Sequence, residues 1–370
     1  MWGDNTAGGL GLNQADSVEI SSPTQIPGNN WEYVSVSGQY NTVHSIKTDG
    51  TLWNWGKNQS GVLGQNNNVD YSSPVQIPGT TWKSIRGGYR TALATKTDGT
   101  LWAVGSNGGG CLGQNQTSGE LGGVSSPIQI PGTTWSTGFG KTASAERSAA
   151  AIKTDGTLWT WGAALHGQLG LNQGGNPTNA YHSSPTQIPG TTWKYIINPN
   201  YNMMAVKTDG TMWAWGDNGK GLLGQNDRTQ RSSPVQVGSD TTWASLGRTV
   251  WNNGNTVMAT KTDGTLWGWG SPYEGVLGLS TANPGYFSSP VQVGSDTDWS
   301  TDKEFGVGST GLGLKTDGTM WAWGRNQKGE LGLNSRAYQS SPIQIPGTTW
   351  IQSSSGAPYY NRVSAAIKRT

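Results

Sequence analysis

Hydrophobic residues occur along the chain in short alternating runs, separated by clusters of Gly, Asn, Asp, Ser and Pro, and nowhere at helical spacing. One order of runs returns again and again. A run led by Trp, as in WEYVSV from Trp31, reads as a first strand, and TVHSIKT from Thr42 reads as a second. Asp49-Gly50 then marks a tight hairpin, because both residue types tolerate positive φ. TLWNWG from Thr51 is a third strand that places Trp53 and Trp55 on one face. A Gly/Asn-rich loop leads to a fourth strand around SPVQI, and a Pro-Gly or Gly-Ser turn returns to the next Trp.

The order repeats seven times. Lys-Thr-Asp-Gly-Thr begins at Lys47, Lys96, Lys153, Lys207, Lys261 and Lys315, and Ser-Ser-Pro begins at Ser21, Ser72, Ser125, Ser183, Ser232, Ser288 and Ser340. The glycines that end the third strands are spaced by 53, 49, 57, 54, 54 and 54 residues. Four strands in units of about fifty residues predict an all-β, seven-bladed β-propeller with four antiparallel strands per blade, one domain over 1–370. The chain opens at Met1-Trp2-Gly3, within a third strand, and ends on AAIKRT, which matches the second strand AAIKT that begins at Ala150. The last blade is therefore expected to be closed by N- and C-terminal strands together, which removes exposed sheet edges. The DGTLW stretch is missing at this joint, so a short third strand and a weak seam are expected there.

WGKNQSGVLG at 55–64, WGDNGKGLLG at 215–224 and WGRNQKGELG at 323–332, each followed by a proline-led strand and a D-G hairpin, resemble the regulator of chromosome condensation repeat family. The resemblance extends over all seven units and implies a seven-bladed propeller. It implies function poorly, since propellers of this kind serve as exchange factors, inhibitors, adaptors and parts of larger proteins.

Loop lengths separate the two faces. The hairpin Lys stands 9 residues before the following Gly in all six complete units, and the first Ser of Ser-Ser-Pro stands 10 or 11 before the closing Trp. On the opposite face, closing Trp to Lys runs from 14 to 18 residues and Gly to Ser-Ser-Pro from 16 to 21. Constant turns fit a structural role, and variable loops on a rigid frame fit recognition. Nineteen of the 20 tryptophans fill three repeated slots, and Trp251 alone lies in a variable loop. Phe139, Phe287, Phe305, Tyr40, Tyr89, Tyr201, Tyr273 and Tyr360 also fall in the variable segments, a binding-surface signal whose bland counterpart is rings that plug loops. Six residues before the hairpin Lys, where the resembled family often has histidine, stand Asn41, Arg90, Arg147, Tyr201, Asn255, Ser309 and Arg362. With the first strand innermost, these positions ring the mouth of the central channel. Its three arginines are candidates to hold a carboxylate, a phosphate or an acidic side chain, or else are solvated turn residues.

Composition narrows the chemistry. Charged residues are 12% of the chain and the formal net charge is +2, which gives no footprint for nucleic acid or an acidic membrane. No apolar run is long enough to cross a bilayer, and the first residues lack the basic and apolar regions of a secretion signal. Cys111 stands alone in a loop slot otherwise held by Val or Leu, so a buried hydrophobe is expected rather than a disulfide or nucleophile. His44, His166 and His182 with one Cys give no zinc spacing, and one Asp per hairpin gives no calcium cage; no metal and no cofactor is expected. Neither a nucleophile elbow nor a phosphate loop is present. Glu120, Glu146, Glu274, Glu304 and Glu330 lie on the variable face without a pairing evident in sequence.

The sequence thus predicts a non-enzymatic recognition or structural module whose partner is a protein. Its sparse charge and Asn, Gln, Ser, Thr and Gly content suit a virion- or cell-surface protein, and a cytoplasmic one remains open. A carbohydrate-binding propeller is the alternative, with Trp251, Asn252, Asn253 and Asn255 as its best local site. A guanine-nucleotide exchange factor is a third reading, on the family resemblance alone, and no projecting hairpin of the sort that activity needs is evident.

Overall fold

A computed structural model describes residues 1–14, 16–37, 41–117, 119–173, 181–199, 201–249, 256–280, 285–303, 305–356 and 362–369. The units fold as seven separate sheets, six of four antiparallel strands and one, in the sixth blade, that adds a fifth strand to its four. The first complete blade is Trp31–Val36, Val43–Lys47, Leu52–Gly56 and Tyr71–Ile77. Burial falls from inside outward: Trp31–Val36 is mostly buried, whereas Tyr71–Ile77 is mostly half-exposed. The seventh blade joins Trp350–Ser355 and Val363–Lys368 to Trp2–Asp4 and Glu19–Ile20, with Trp2 opposite Ser364 and Gly3 opposite Val363. Its third strand has 3 residues, the short element expected where DGTLW is missing. One feature departs from the four-strand plan. Arg248–Thr249 leaves the fifth blade and pairs in parallel with Gly306–Val307 of the sixth.

The repeated motif residues hold one blade to the next. In Trp-Gly at the end of the third strand, the indole N–H donates to a carbonyl of the preceding blade: Trp55 to Gly9 at 3.1 Å, Trp161 to Cys111 at 2.8 Å, Trp215 to Gln168 at 2.9 Å and Trp269 to Leu222 at 2.8 Å. Three residues after this slot in the preceding blade, an asparagine can brace the loop that offers the carbonyl. Around Gly9, Asn5 Oδ1 accepts from the Leu10 amide at 3.0 Å and its Nδ2 donates to the Gln14 carbonyl at 3.1 Å, and Asn58 braces its own loop in the same way, from the Leu63 amide at 2.9 Å and to the Asn67 carbonyl at 2.9 Å. The loop then reaches the next outer strand, where the Asn66 amide donates to the Ser125 carbonyl at 2.6 Å and the Asn13 amide to Ser72 at 2.8 Å. The second residue after Leu-Gly and the first Ser of Ser-Ser-Pro are thus the two halves of an inter-blade staple. Edge donors of the innermost strands are met by neighbouring side chains: Val34 N–H by Gln352 Oε1 at 2.9 Å, Val36 N–H by Ser354 Oγ at 3.0 Å and Gly87 N–H by Ser35 Oγ at 3.0 Å. Unmet edge donors would be costly there, so polar side chains recur in the innermost strands.

Candidate functional site

The face with the constant turns is occupied with its own structure. Asp49 Oδ1 accepts from the Thr51 amide at 3.0 Å and hydroxyl at 2.6 Å, and the Trp53 indole donates to Thr51 Oγ1 at 2.8 Å. Gly50 has φ 76°, and a Cβ there would lie 2.2 Å from the Thr80 carbonyl oxygen, so glycine is required. Lys47 Nζ lies 4.8 Å from the Trp31 ring and 4.5 Å from the Trp53 ring. The same clamp holds Lys96, Lys153, Lys207, Lys261 and Lys315 between two indoles each, and Lys368 against Trp350. The ammonium groups therefore serve the packing through cation–π contact, beyond the simple neutralisation of the hairpin aspartates expected from the motif. Lys261 and Lys315 also pair with acids of the neighbouring turn, Asp240 at 2.5 Å and Asp296 at 2.7 Å.

The variable face differs. Eight of the ten arginines (Arg90, Arg147, Arg228, Arg231, Arg248, Arg325, Arg336 and Arg362) belong to its connecting segments or to the strand ends that meet them. Five of the six exposed large hydrophobic side chains among the described residues, Val69, Tyr181, Tyr273, Tyr286 and Tyr338, lie between a third strand and the beginning of the fourth.

Two groups of polar and aromatic side chains stand on this face. The first spans the second to fourth blades. Tyr201 donates its hydroxyl to Glu146 Oε2 at 2.9 Å and packs on His166 with ring centroids 4.6 Å apart. Arg147 Nε lies 3.5 Å from Glu146 Oε1, and the Arg90 guanidinium lies 5.2 Å from the Tyr89 ring centre. Burial, followed by the hydrogen bond to the Glu146 carboxylate, pushes the Tyr201 hydroxyl up to about 12. The second group spans the fifth to seventh blades. Arg325 Nη1 lies 3.5 Å from Glu274 Oε1, and Tyr273 and Tyr338 stand exposed beside this pair. Burial raises the Glu274 and Glu330 carboxyls, against the pull of Arg325 and Arg362.

The expected ring of seven channel-mouth residues is thereby divided. Arg90, Arg147, Tyr201 and Tyr89 come together in the first group, whereas Arg362 belongs with the carboxylates of the second. Two expected surface residues are buried. Asn41 is 1% exposed, donates to the Thr6 carbonyl at 3.1 Å and accepts from the Arg362 amide at 3.0 Å, which makes it a pin at the seam. Phe305 is 3% exposed and packs with Met258, Val293, Trp299 and Trp323, so its ring offers no face to a partner. Trp251, Asn255, Tyr40 and Tyr360 lie outside the described residues. The sequence reading passed over Tyr181, Tyr286 and Tyr338. Their signal was available, since each stands two residues before the first Ser of Ser-Ser-Pro, a slot that holds tyrosine in three blades at the end of a segment of variable length.

The innermost segments of the second to sixth blades enclose a small cavity lined by Arg86, Phe139, Tyr195, Ile197, Ser245 and Lys303, among others. Among the described residues no three His, Cys, Asp or Glu side chains gather as a metal site. Cys111 is fully buried, as its slot predicts, and burial pushes its thiol up to about 11. No helix among the described residues is long and apolar enough to cross a membrane.

A family model for the regulator of chromosome condensation (RCC1) repeat matches residues 49–94, 155–197, 209–249 and 317–359. Ultraviolet-B receptor UVR8 of Arabidopsis thaliana is 27% identical over 199 residues, covering 53% of this chain and 43% of that protein. Probable E3 ubiquitin-protein ligase HERC3 of Homo sapiens is 26% identical over 203 residues, covering 53% of this chain and 18% of that protein. The chain thus spans less than half the length of either curated relative. Crystal structures of Prp20p from Saccharomyces cerevisiae, described with its binding to Gsp1p and histones, and of human WBSCR16 align over 100% of this chain with TM-scores of 0.82 and 0.81. They cover 91% and 99% of those chains, both at 17% identity, a likeness of fold.

Proposed function

We propose, for a chain built from regulator of chromosome condensation (RCC1) repeats, that it is a non-enzymatic recognition module whose variable face binds a protein partner. The observation that carries this reading is the division of labour between the faces. Every hairpin lysine among the described residues is clamped on tryptophan at one face, while eight arginines and the exposed tyrosines belong to the other. Tyrosine and arginine are, with tryptophan, the residue types that most often dominate protein–protein binding. Relatives of this fold fit the reading, since Prp20p is described by its binding to Gsp1p and histones. The carbohydrate reading rests on Trp251 and its neighbours, and the tyrosines and arginines of the described loops favour a protein instead.

The test is affinity capture from the native source with wild-type protein and a Tyr273→Ala/Tyr338→Ala/Arg147→Ala variant. Loss of a captured protein in the variant, with unchanged thermal stability, is the expected result. Equal capture by both would move the binding site to the hairpin face or the rim.

A further inference from the structure

We infer that the hairpin-face end of the central channel binds a compact polyphosphate, a short chain of phosphoryl groups met by Lys141, Lys194 and Lys303 from three blades. The site is separate from the two groups on the variable face and goes beyond the recognition reading above.

Two innermost strands are interrupted where this site forms. In the third blade the Ser136 amide donates to the Ile152 carbonyl at 2.9 Å, and the Ile152 amide donates to the Lys141 carbonyl at 2.9 Å. One residue of the second strand thus serves two residues of the first, and 137–140 loop out of the sheet between them. Phe139 of this loop reaches Tyr33 of the first blade, with ring centroids 6.1 Å apart. In the sixth blade the Ser300 amide donates to the Leu314 carbonyl at 2.9 Å, and pairing resumes only at Gly306 opposite Leu312. The segment between carries Asp302 and Lys303, which line the same cavity as Phe139, Arg86 and Tyr195.

Lys194 comes from the fourth blade. It follows Trp193, which pairs with the hairpin lysine Lys207, so it stands at the hairpin end of its strand. Lys194 Nζ lies 5.2 Å from the Tyr195 ring centre and Lys141 Nζ lies 5.7 Å from the same centre. Lys141 Nζ also donates to the Lys194 carbonyl at 2.7 Å. Two ammonium groups therefore share one ring. Burial, and then the Lys194 charge, hold the Lys141 ammonium below the ordinary lysine value. Among the described residues none of Lys141, Lys194 and Lys303 forms an ion pair. The hairpin lysines Lys261 and Lys315 do, with Asp240 and Asp296.

The balance of charge favours an anion. Counted from the sequence, Arg86, Lys141, Lys194 and Lys303 of these segments stand against Asp302 and Glu304. Asp302 already accepts from the Ser300 hydroxyl at 2.8 Å, and Lys83 and Glu32 at the same end pair with each other at 3.5 Å. Like charges gathered without a counter-charge raise the energy of the free fold, and an anion that meets them recovers it. Lysine presents a point charge rather than a planar fork, which suits a phosphoryl group open to donors from several directions. Ammonium groups converging from three blades suit a short chain of such groups better than a singly charged anion.

Isothermal titration calorimetry of the full chain with sodium tripolyphosphate at constant ionic strength tests this. Wild type is expected to bind one equivalent. Lys194→Gln/Lys303→Gln removes two ammonium groups that donate no hydrogen bond among the described residues, and it keeps the bond from Lys141 to the Lys194 carbonyl. This double variant is expected to unfold at the wild-type temperature and to bind about tenfold more weakly, the loss of two charge-assisted contacts. Lys220→Gln/Arg369→Gln removes the same charge elsewhere and is expected to bind like wild type. No binding by wild type, or equal weakening in the two doubles, overturns the inference. Either result leaves the protein-partner reading standing, since Tyr273, Tyr338 and Arg147 are unchanged in these variants.

Discussion

The indole N–H of Trp2 donates to the carbonyl oxygen of Glu330 at 2.7 Å, a bond between residues 328 apart in the chain. It is the same bond that Trp55 makes to Gly9, Trp215 to Gln168 and Trp323 to Val276, so the seam carries the ordinary inter-blade contact. The staple is present there too, from the Asn334 amide to the Ser21 carbonyl at 2.7 Å. Trp2→Ala removes a fully buried ring as well as this bond. It is expected to cost about 3–5 kcal/mol, the usual range for a buried large aromatic. Urea denaturation checks it, and a cost below about 1 kcal/mol would show that the seam is already open in solution.

The lysine clamps predict a second effect. Lys207 Nζ lies 4.3 Å from the Trp213 ring and 4.7 Å from the Trp193 ring. Lys207→Met keeps most of the packing and removes the charge, and is expected to destabilise by about 0.5–2 kcal/mol. Because the contact is sheltered by two rings, its loss should vary little between 50 and 500 mM salt, roughly the range over which surface pairs fade. A loss that vanishes at high salt would assign the stabilisation to surface charge instead.

Acid is expected to weaken the fold through the hairpins. Hydrogen bonds from the Thr two residues on hold Asp49, Asp98, Asp155 and Asp263 below the usual carboxylate value. Burial pushes Asp240 up, but bonds from Lys261 and Thr242 outweigh it and bring the group to about 2. The unfolded chain therefore takes up protons first as pH falls, and stability drops between about pH 4 and 2. Urea midpoints read at successive pH values check this, and Asp240→Asn should flatten the profile. An unchanged profile in that variant would assign the acid sensitivity to other groups.

How much of this was legible beforehand follows from repetition. Seven copies reveal the blades, their strand order and the closure through Trp2 and Ser364, because each motif residue repeats a local or nearest-neighbour contact. The site was less legible because its contacts join unrepeated residues across blades. Tyr201, Glu146 and His166 come from three different loops, and no spacing links them. Asn41 shows the opposite error. Its slot is shared with Arg90 and Arg147, but its short amide fits the φ 57° turn at the seam and is drawn inward by the Thr6 and Arg362 backbone.

Cys111 provides a simple probe of global opening. Its thiol is buried, held near the Ser106 carbonyl at 3.2 Å and raised to about 11. The native protein is expected to leave it unlabelled by iodoacetamide at pH 8, a condition at which an exposed thiol of ordinary pKa reacts. Labelling should appear with the denaturant transition. Rapid labelling of the native protein would contradict the packing of the second and third blades.

The account's central claim is that one face binds and the other holds the ring together. Hydrogen–deuterium exchange on the complex with the captured partner tests it most directly. The prediction is new protection in the loops at 88–90, 145–147, 198–199 and 325–338, with the hairpins at 47–51, 96–100 and 207–211 unchanged. Protection confined to those hairpins, with the variable loops exchanging as in the free protein, would contradict it.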